Sequence, residues 1–112
     1  MTTLLEKSKM LSKAKSYIGF AKKAGKLKIG TDNILAYRKN SDIIISTNIS
    51  DNAKNKISNH ATKTNSTLIE INSCCMNKLM DSESIKAISI LDKNLADACL
   101  DCIKNLEELA VE

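Results

Sequence analysis

The residues that could do chemistry in this chain are concentrated in one run, Lys22-Lys23-Ala24-Gly25-Lys26-Leu27-Lys28-Ile29-Gly30-Thr31-Asp32-Asn33. It passes from the basic end of a helix, over a glycine stop and a short basic strand, into the start of a second helix. Backbone N–H groups at a helix start lack partners, and the dipole behind them favours negative charge. Lysines around such a start make an anion site, and RNA or DNA is the commonest large polyanion. The same lysines also read as an ordinary solvated helix face.

Other constellations carry less. Cys99-x-x-Cys102 has the spacing of zinc and thiol-redox motifs. Redox pairs need the first turn of a helix, however, and this pair falls about two turns in, on an apolar stripe. Buried structural thiols are the expectation. Cys74-Cys75 adds two thiols, but adjacent cysteines rarely both ligate one ion, so neither a metal nor another cofactor is expected. His60, the only histidine, has no nucleophile or orienting partner near it in sequence and reads as structural. Three glycines leave no room for a Gly-rich phosphate cradle. Glu107-Glu108 fall on the exposed side of a terminal helix. The expectation is a non-catalytic binding protein with no small-molecule substrate.

The elements that must position these residues follow from periodicity. Met10, Leu11, Ala14, Tyr17, Ile18 and Ala21 recur at helical spacing, with Lys9, Lys13, Lys15, Lys22 and Lys23 largely on the other side. Gly25 is the expected left-handed stop. Residues 1–7 read as frayed unless Thr3 and Glu6 form a capping box. Lys26 to Ile29 alternates polar and apolar, as a short half-buried strand does. Thr31 is the expected N-cap of a helix running to about Lys39, with Asn40 its stop. The three isoleucines of Asp42-Ile43-Ile44-Ile45-Ser46 mark a strand covered on both faces. Ser50 caps a helix to about Thr64 with Ala53, Ile57 and Ala61 inward. A strand over Thr67–Ile71, a helix over Ser73–Met80 and a strand over Ile85–Leu91 follow. Asp92 caps a last helix whose stripe is Leu95, Ala98, Cys99, Cys102, Ile103, Leu106 and Ala110. Strands alternating with helices predict an α/β sandwich, with helices on both faces of a four-stranded sheet.

Composition sets the frame. The 112 residues read as one domain spanning 1–112, and 43% hydrophobic content is that of a globular chain. Aromatics are 3%, with Phe20 the one phenylalanine, which argues against base-stacking sheets and oligonucleotide-binding barrels. The net charge of +4 hides an asymmetry. Residues 1–56 hold 12 Lys and Arg against 4 Asp and Glu; residues 57–112 hold 5 against 9. One end or face should therefore be basic, as in a polyanion binder. No apolar run approaches a membrane span and no signal-peptide core is present, so a cytoplasmic protein with reduced cysteines and no membrane partner is expected.

The order of elements, with the run Ile18-Gly19-Phe20-Ala21-Lys22-Lys23-Ala24-Gly25-Lys26-Leu27-Lys28-Ile29-Gly30, resembles the ribosomal kink-turn-binding superfamily of the L-seven-Ae and L-thirty-e type. It is most similar to the small bacterial YlxQ-type branch, over about residues 10–103. The resemblance implies a three-layer α/β/α sandwich with a mixed sheet. It also implies binding of structured, kink-turn-like RNA, ribosomal or other, without catalysis. In that family a Gly-x-Asn-Glu-x-x-Lys motif opening the second helix reads sheared G·A pairs, lysines nearby hold the backbone, and a hydrophobic loop after the third strand covers flipped bases. Carried over, Gly30 and Thr31 match the helix opening and Lys26 and Lys28 the basic strand. Asp32 stands at the Asn position, Asn33 at the Glu position and Ala36 at the Lys position. The loop facing flipped bases falls near Cys74, Cys75 and Met76.

These departures shape the expectation. Asp32 puts a negative charge near phosphate while still able to accept from a base amino group, and Asn33 offers a pairing amide. Ala36 removes a cation, for which Arg38 compensates in part. The RNA reading therefore names Lys22, Lys23, Lys26, Lys28, Gly30, Thr31, Asp32, Asn33, Arg38, Cys74, Cys75 and Met76 as contacts, with the ribosome as an associated partner. The alternative is a protein–protein interaction module that keeps the fold without kink-turn specificity, docking through its acidic second half.

Overall fold

The computed structural model describes the backbone of residues 4–111 and the side chains of residues 9–105. The elements are α1 (Leu4–Lys23), β1 (Leu27–Ile29), α2 (Thr31–Ala36), β2 (Asp42–Ser46), α3 (Asp51–Thr64), β3 (Thr67–Ile71), α4 (Ser73–Met80), β4 (Ala87–Ile90) and α5 (Lys93–Val111). The sheet order is β1-β4-β2-β3. β2 runs parallel to β3, whereas β4 runs antiparallel to both β2 and β1.

The isoleucine run dictates the layering. Every residue of β2 is buried, because alternate side chains feed two separate cores. The register aligns Ile29, Ile88, Ile44 and Ile69 in one row across the sheet. On that face pack Ala14, Ile18 and Ala21 of α1, Met76 and Leu79 of α4, and Ala96, Cys99, Cys102 and Ile103 of α5. The opposite row is Lys28, Ser89, Ile43 and Leu68. Over it Ile43, Ile45 and Ala87 meet Ile34 of α2 and Ile57 and Ala61 of α3. The result is a three-layer α/β/α sandwich with a mixed sheet, as expected. Each fully buried isoleucine contributes about 1.5–3 kcal/mol. Ser89, a buried polar residue of the central strand β4, donates to Ser41 Oγ at 2.6 Å, so its burial leaves no group unsatisfied.

Local signals hold at most boundaries. Gly25 has φ 70°, and the amides of Gly25 and Lys26 bond the carbonyls of Lys22 (3.2 Å) and Ala21 (2.7 Å), a Schellman stop. Ser50 Oγ accepts from the Ala53 amide at 3.2 Å, and Asp92 Oδ1 accepts from the amides of Asn94 and Leu95. Others shift. Helix α1 runs from Leu4, the earlier of the two starts the sequence allows, so residues 4–7 are helical and not frayed. The Thr3–Glu6 capping box, and the side chains of Leu106, Glu107, Glu108 and Ala110, lie outside the described residues. Gly30, not Thr31, is the N-cap of α2, at φ 92° and ψ 152°. That helix ends at Ala36 instead of about Lys39, because Tyr37 turns extended and its carbonyl oxygen accepts from His60 Nε2 at 2.7 Å. Strand β4 is shorter than Ile85–Leu91, and Ala96 takes the fully buried place on α5 expected for Ala98. Among the described residues no helix is long and apolar enough to cross a membrane.

Candidate nucleic-acid interface

Strand direction decides which residues share a surface. β1, β2 and β3 point the same way and β4 runs against them. The last residues of β1, β2 and β3, the first of β4 and the openings of α2, α3 and α4 therefore meet at one end of the sheet. At the other end lie the tails of α1, α2 and α3 and the opening of α5. We refer to these as the opening end and the basic end.

The opening end is knit by the backbone. Gly30 donates to the Ala87 carbonyl at 2.9 Å, Ser46 to that of Lys86 at 2.8 Å, and Thr47 to that of Ile71 at 2.9 Å. The Ser73 amide donates to Thr47 Oγ1 at 3.2 Å. Helices α3 and α4 are capped by Ser50 Oγ and by Asn72 Oδ1, the latter accepting from the Cys74 amide at 2.8 Å. Helix α2 has no side-chain cap, because glycine occupies the N-cap. Its first-turn N–H groups are left for an outside acceptor. Gly30 is required there, since its φ and ψ lie in a region that residues with a Cβ avoid.

Around that opening the side chains are mostly neutral. Thr31 and Asn33 flank it, with Asp32 exposed in the first turn, and Thr47, Asn48, Asn72 and Ser73 follow β2 and β3 farther across the same end of the sheet. Asn33 Nδ2 donates back to the Ile29 carbonyl at 2.8 Å, so two-point pairing of this amide with a base edge requires breaking that bond. Lys86 Nζ donates to the Glu83 carbonyl at 2.6 Å, and Lys54 pairs with Glu70 at 3.1 Å. Lys28 is half-buried midway along β1.

Other expected site residues lie elsewhere. Lys22 and Lys23 end α1, and Lys26 precedes β1 at the basic end. A strand of this length sets Lys26 roughly 13 Å from Gly30. Arg38 follows the extended Tyr37, just past the tail of α2 where Ala36 stands, and leads toward the start of β2. Met76 is fully buried beneath α4 and is not on the surface. Helical phase turns it onto the sheet, with Cys75 packed partly against the same core and Cys74 exposed. Residues that sequence reading missed are Thr47, Asn48 and Lys86 at the opening end, and Lys39 and Lys63 at the basic end. Their signal is weak: a polar pair right after the isoleucine strand, and lysines at helix tails.

The thiols belong to the core. Burial pushes Cys99 up to about 12, with Cys102 and Cys75 nearby adding to it. Cys102 is raised by burial too, although Lys13 pulls against it. Among the described residues no three His, Cys, Asp or Glu side chains gather where they could hold a metal ion.

No protein-family model and no curated protein matches this sequence. Solved structures do share the fold. One, described as a protein with unknown function from Bacillus halodurans C, superposes with a TM-score of 0.66 at 16% identity, over 82% of this chain and 97% of its own. At that identity the likeness concerns the fold alone.

Proposed function

We propose that the chain is a non-catalytic RNA-binding protein of the cytoplasm, associated with the ribosome, that recognises a structured, kink-turn-like RNA at its opening end. The observation that carries this reading is the uncapped opening of α2, tied to the start of β4 by Gly30 and flanked by Thr31 and Asn33, at the end of the sheet where hydroxyl and amide side chains follow β2 and β3. Such a surface suits phosphate at the free amides and base edges at the flanking side chains. In the resemblance to kink-turn binders, Gly30 and Thr31 match the helix opening that stands here. Asp32 accepts from an exposed base amino group, Asn33 contributes its carbonyl oxygen, and Lys28 and Lys86 lie against the backbone. RNA of this kind is distinguished by shape and splayed bases more than by groove sequence.

A second reading, a protein-docking module, is favoured by one feature: Asp32 adds a negative charge at this end while Lys54 and Lys86 are engaged by Glu70 and the Glu83 carbonyl. The two separate in one titration. The protein is mixed with a labelled kink-turn RNA across a salt series, beside the same RNA with its G·A pairs made Watson–Crick, and with a Lys28→Ala/Asn33→Ala variant. RNA recognition requires tight binding to the kink-turn alone, weakened in the variant, with affinity falling steeply in salt. Equal, weak binding to both RNAs transfers the proposal to the docking module.

A further inference from the structure

The basic end holds cations that the reading above does not use. Lys22, Lys23, Lys26, Arg38, Lys39 and Lys63 are all exposed there, and none makes an ion pair among the described residues. The acids of the same end are engaged. Asp42 and Asp97 lie 3.6 and 3.4 Å from Lys93, and Asp92 caps α5. Three contacts tie the segments into one surface. The Leu91 amide donates to the Lys26 carbonyl at 2.8 Å, Lys93 reaches Asp42, and Asn40 Nδ2 donates to the Asn65 carbonyl. The six cations thus lie at one end of the sheet, on the segments that lead from α1, α2 and α3 into β1, β2 and β3.

Neutralising helix tails accounts for Lys22, Lys23 and Lys63, which stand in the last turns of α1 and α3. It does not account for Lys26, Arg38 and Lys39, which stand in loops. A second observation points to the ligand. Phe20 is the one large apolar side chain left exposed among the described residues, at 56%, and it stands one turn before Lys23. An exposed aromatic ring beside unpaired cations is the pairing that single-stranded nucleic acid selects, base on ring and phosphate on ammonium.

We propose that the basic end is a second, separate RNA-contact surface that holds an unpaired strand, with one base on Phe20 and its phosphates on the surrounding cations. This rests on the RNA reading for its partner but not on the opening end for its contacts. A bound RNA with a single-stranded flank is then held at both ends of the sheet.

The test titrates wild-type protein with a short unstructured oligouridine and with the labelled kink-turn RNA across a salt series. Three variants run alongside: Lys22→Ala/Lys23→Ala/Lys26→Ala, its arginine counterpart Lys22→Arg/Lys23→Arg/Lys26→Arg, and Phe20→Ala. Thermal melts confirm that each is folded. The alanine triple should lose oligouridine binding and lower the log–log salt slope by about 2, at roughly 0.7 per single-strand phosphate. The arginine triple should retain it, and Phe20→Ala should weaken it about tenfold. Oligouridine binding that survives the alanine triple overturns the proposal, as does binding to anionic vesicles with none to oligouridine. Kink-turn binding with no oligouridine binding overturns this inference alone. Oligouridine binding of the expected pattern without kink-turn recognition supports it and overturns the opening-end reading instead.

Discussion

The two ends of the sheet are built from the same strands, yet they differ in kind. The opening end gathers helix starts, backbone amides and neutral hydroxyl and amide groups; the basic end gathers helix tails and lysines. Strand direction produces the difference, because parallel β1, β2 and β3 send every following helix off the same edge. Dipole energetics then sorts the charges, with cations favoured at tails and Asp32 and Asp51 at starts. Contiguity in sequence therefore misleads. The run from Lys22 to Asn33 looks like one anion site, but β1 carries its lysines to one end and its helix opening to the other.

The comparison breaks first, and by the largest effect, in the core both ends share. Ile44 is fully buried beneath α1, α4 and α5, in the row that crosses the whole sheet. Ile44→Ala should cost about 3 kcal/mol, read as a fall of more than ~10 °C in Tm. A loss under ~1 kcal/mol would mean that the central strand is not packed as described.

The glycine at each end sharpens it. Gly30 at the opening lies at φ 92° and ψ 152°, a region almost confined to glycine, whereas Gly25 at the basic end is an ordinary left-handed stop at φ 70°. Gly30→Ala should destabilise by about 2 kcal/mol and Gly25→Ala by about 1, compared by chemical denaturation. A Cβ meets no atom within 4 Å at either site, so the difference reports backbone strain without a clash. Equal losses would contradict the assigned conformations.

The smallest effect is on the thiols. Cys74 is exposed at the opening end while Cys99 is sealed in the core, so mass-shift labelling at neutral pH should modify Cys74 first and leave Cys99 untouched until unfolding. The folded Cys99 thiol ionises near 12 and its ordinary value is 9.0, so the unfolded state loses its proton first. Stability contributed by the neutral thiol is intact below pH 9.0 and is lost as pH climbs toward about 12. Melting curves of Cys99→Ala should show a shallower alkaline decline than wild type; an identical decline would remove Cys99 from its cause.

What the residues disclosed in advance was local. The isoleucine strand Asp42–Ser46, the strand Thr67–Ile71, the Ser50-capped helix and the glycine stop at Gly25 fall where periodicity and caps put them. What they did not disclose was set by distant partners. Helix α2 stops early because His60, from another helix, holds the Tyr37 carbonyl. Met76 sits in Cys-Cys-Met, whose apolar character fits an exposed loop and a buried turn equally, and only packing on the sheet chose the second. The site divided for the same reason, since strand direction is not written in any single segment.

The most direct measurement is an amide NMR titration of the isotope-labelled protein with a kink-turn RNA. Recognition at the opening end requires the largest shifts at Thr31, Asp32 and Asn33, with Thr47, Asn48 and Ser73 following. Shifts confined to Lys22, Lys23, Lys26 and their neighbours, with the α2 opening unmoved, would contradict it.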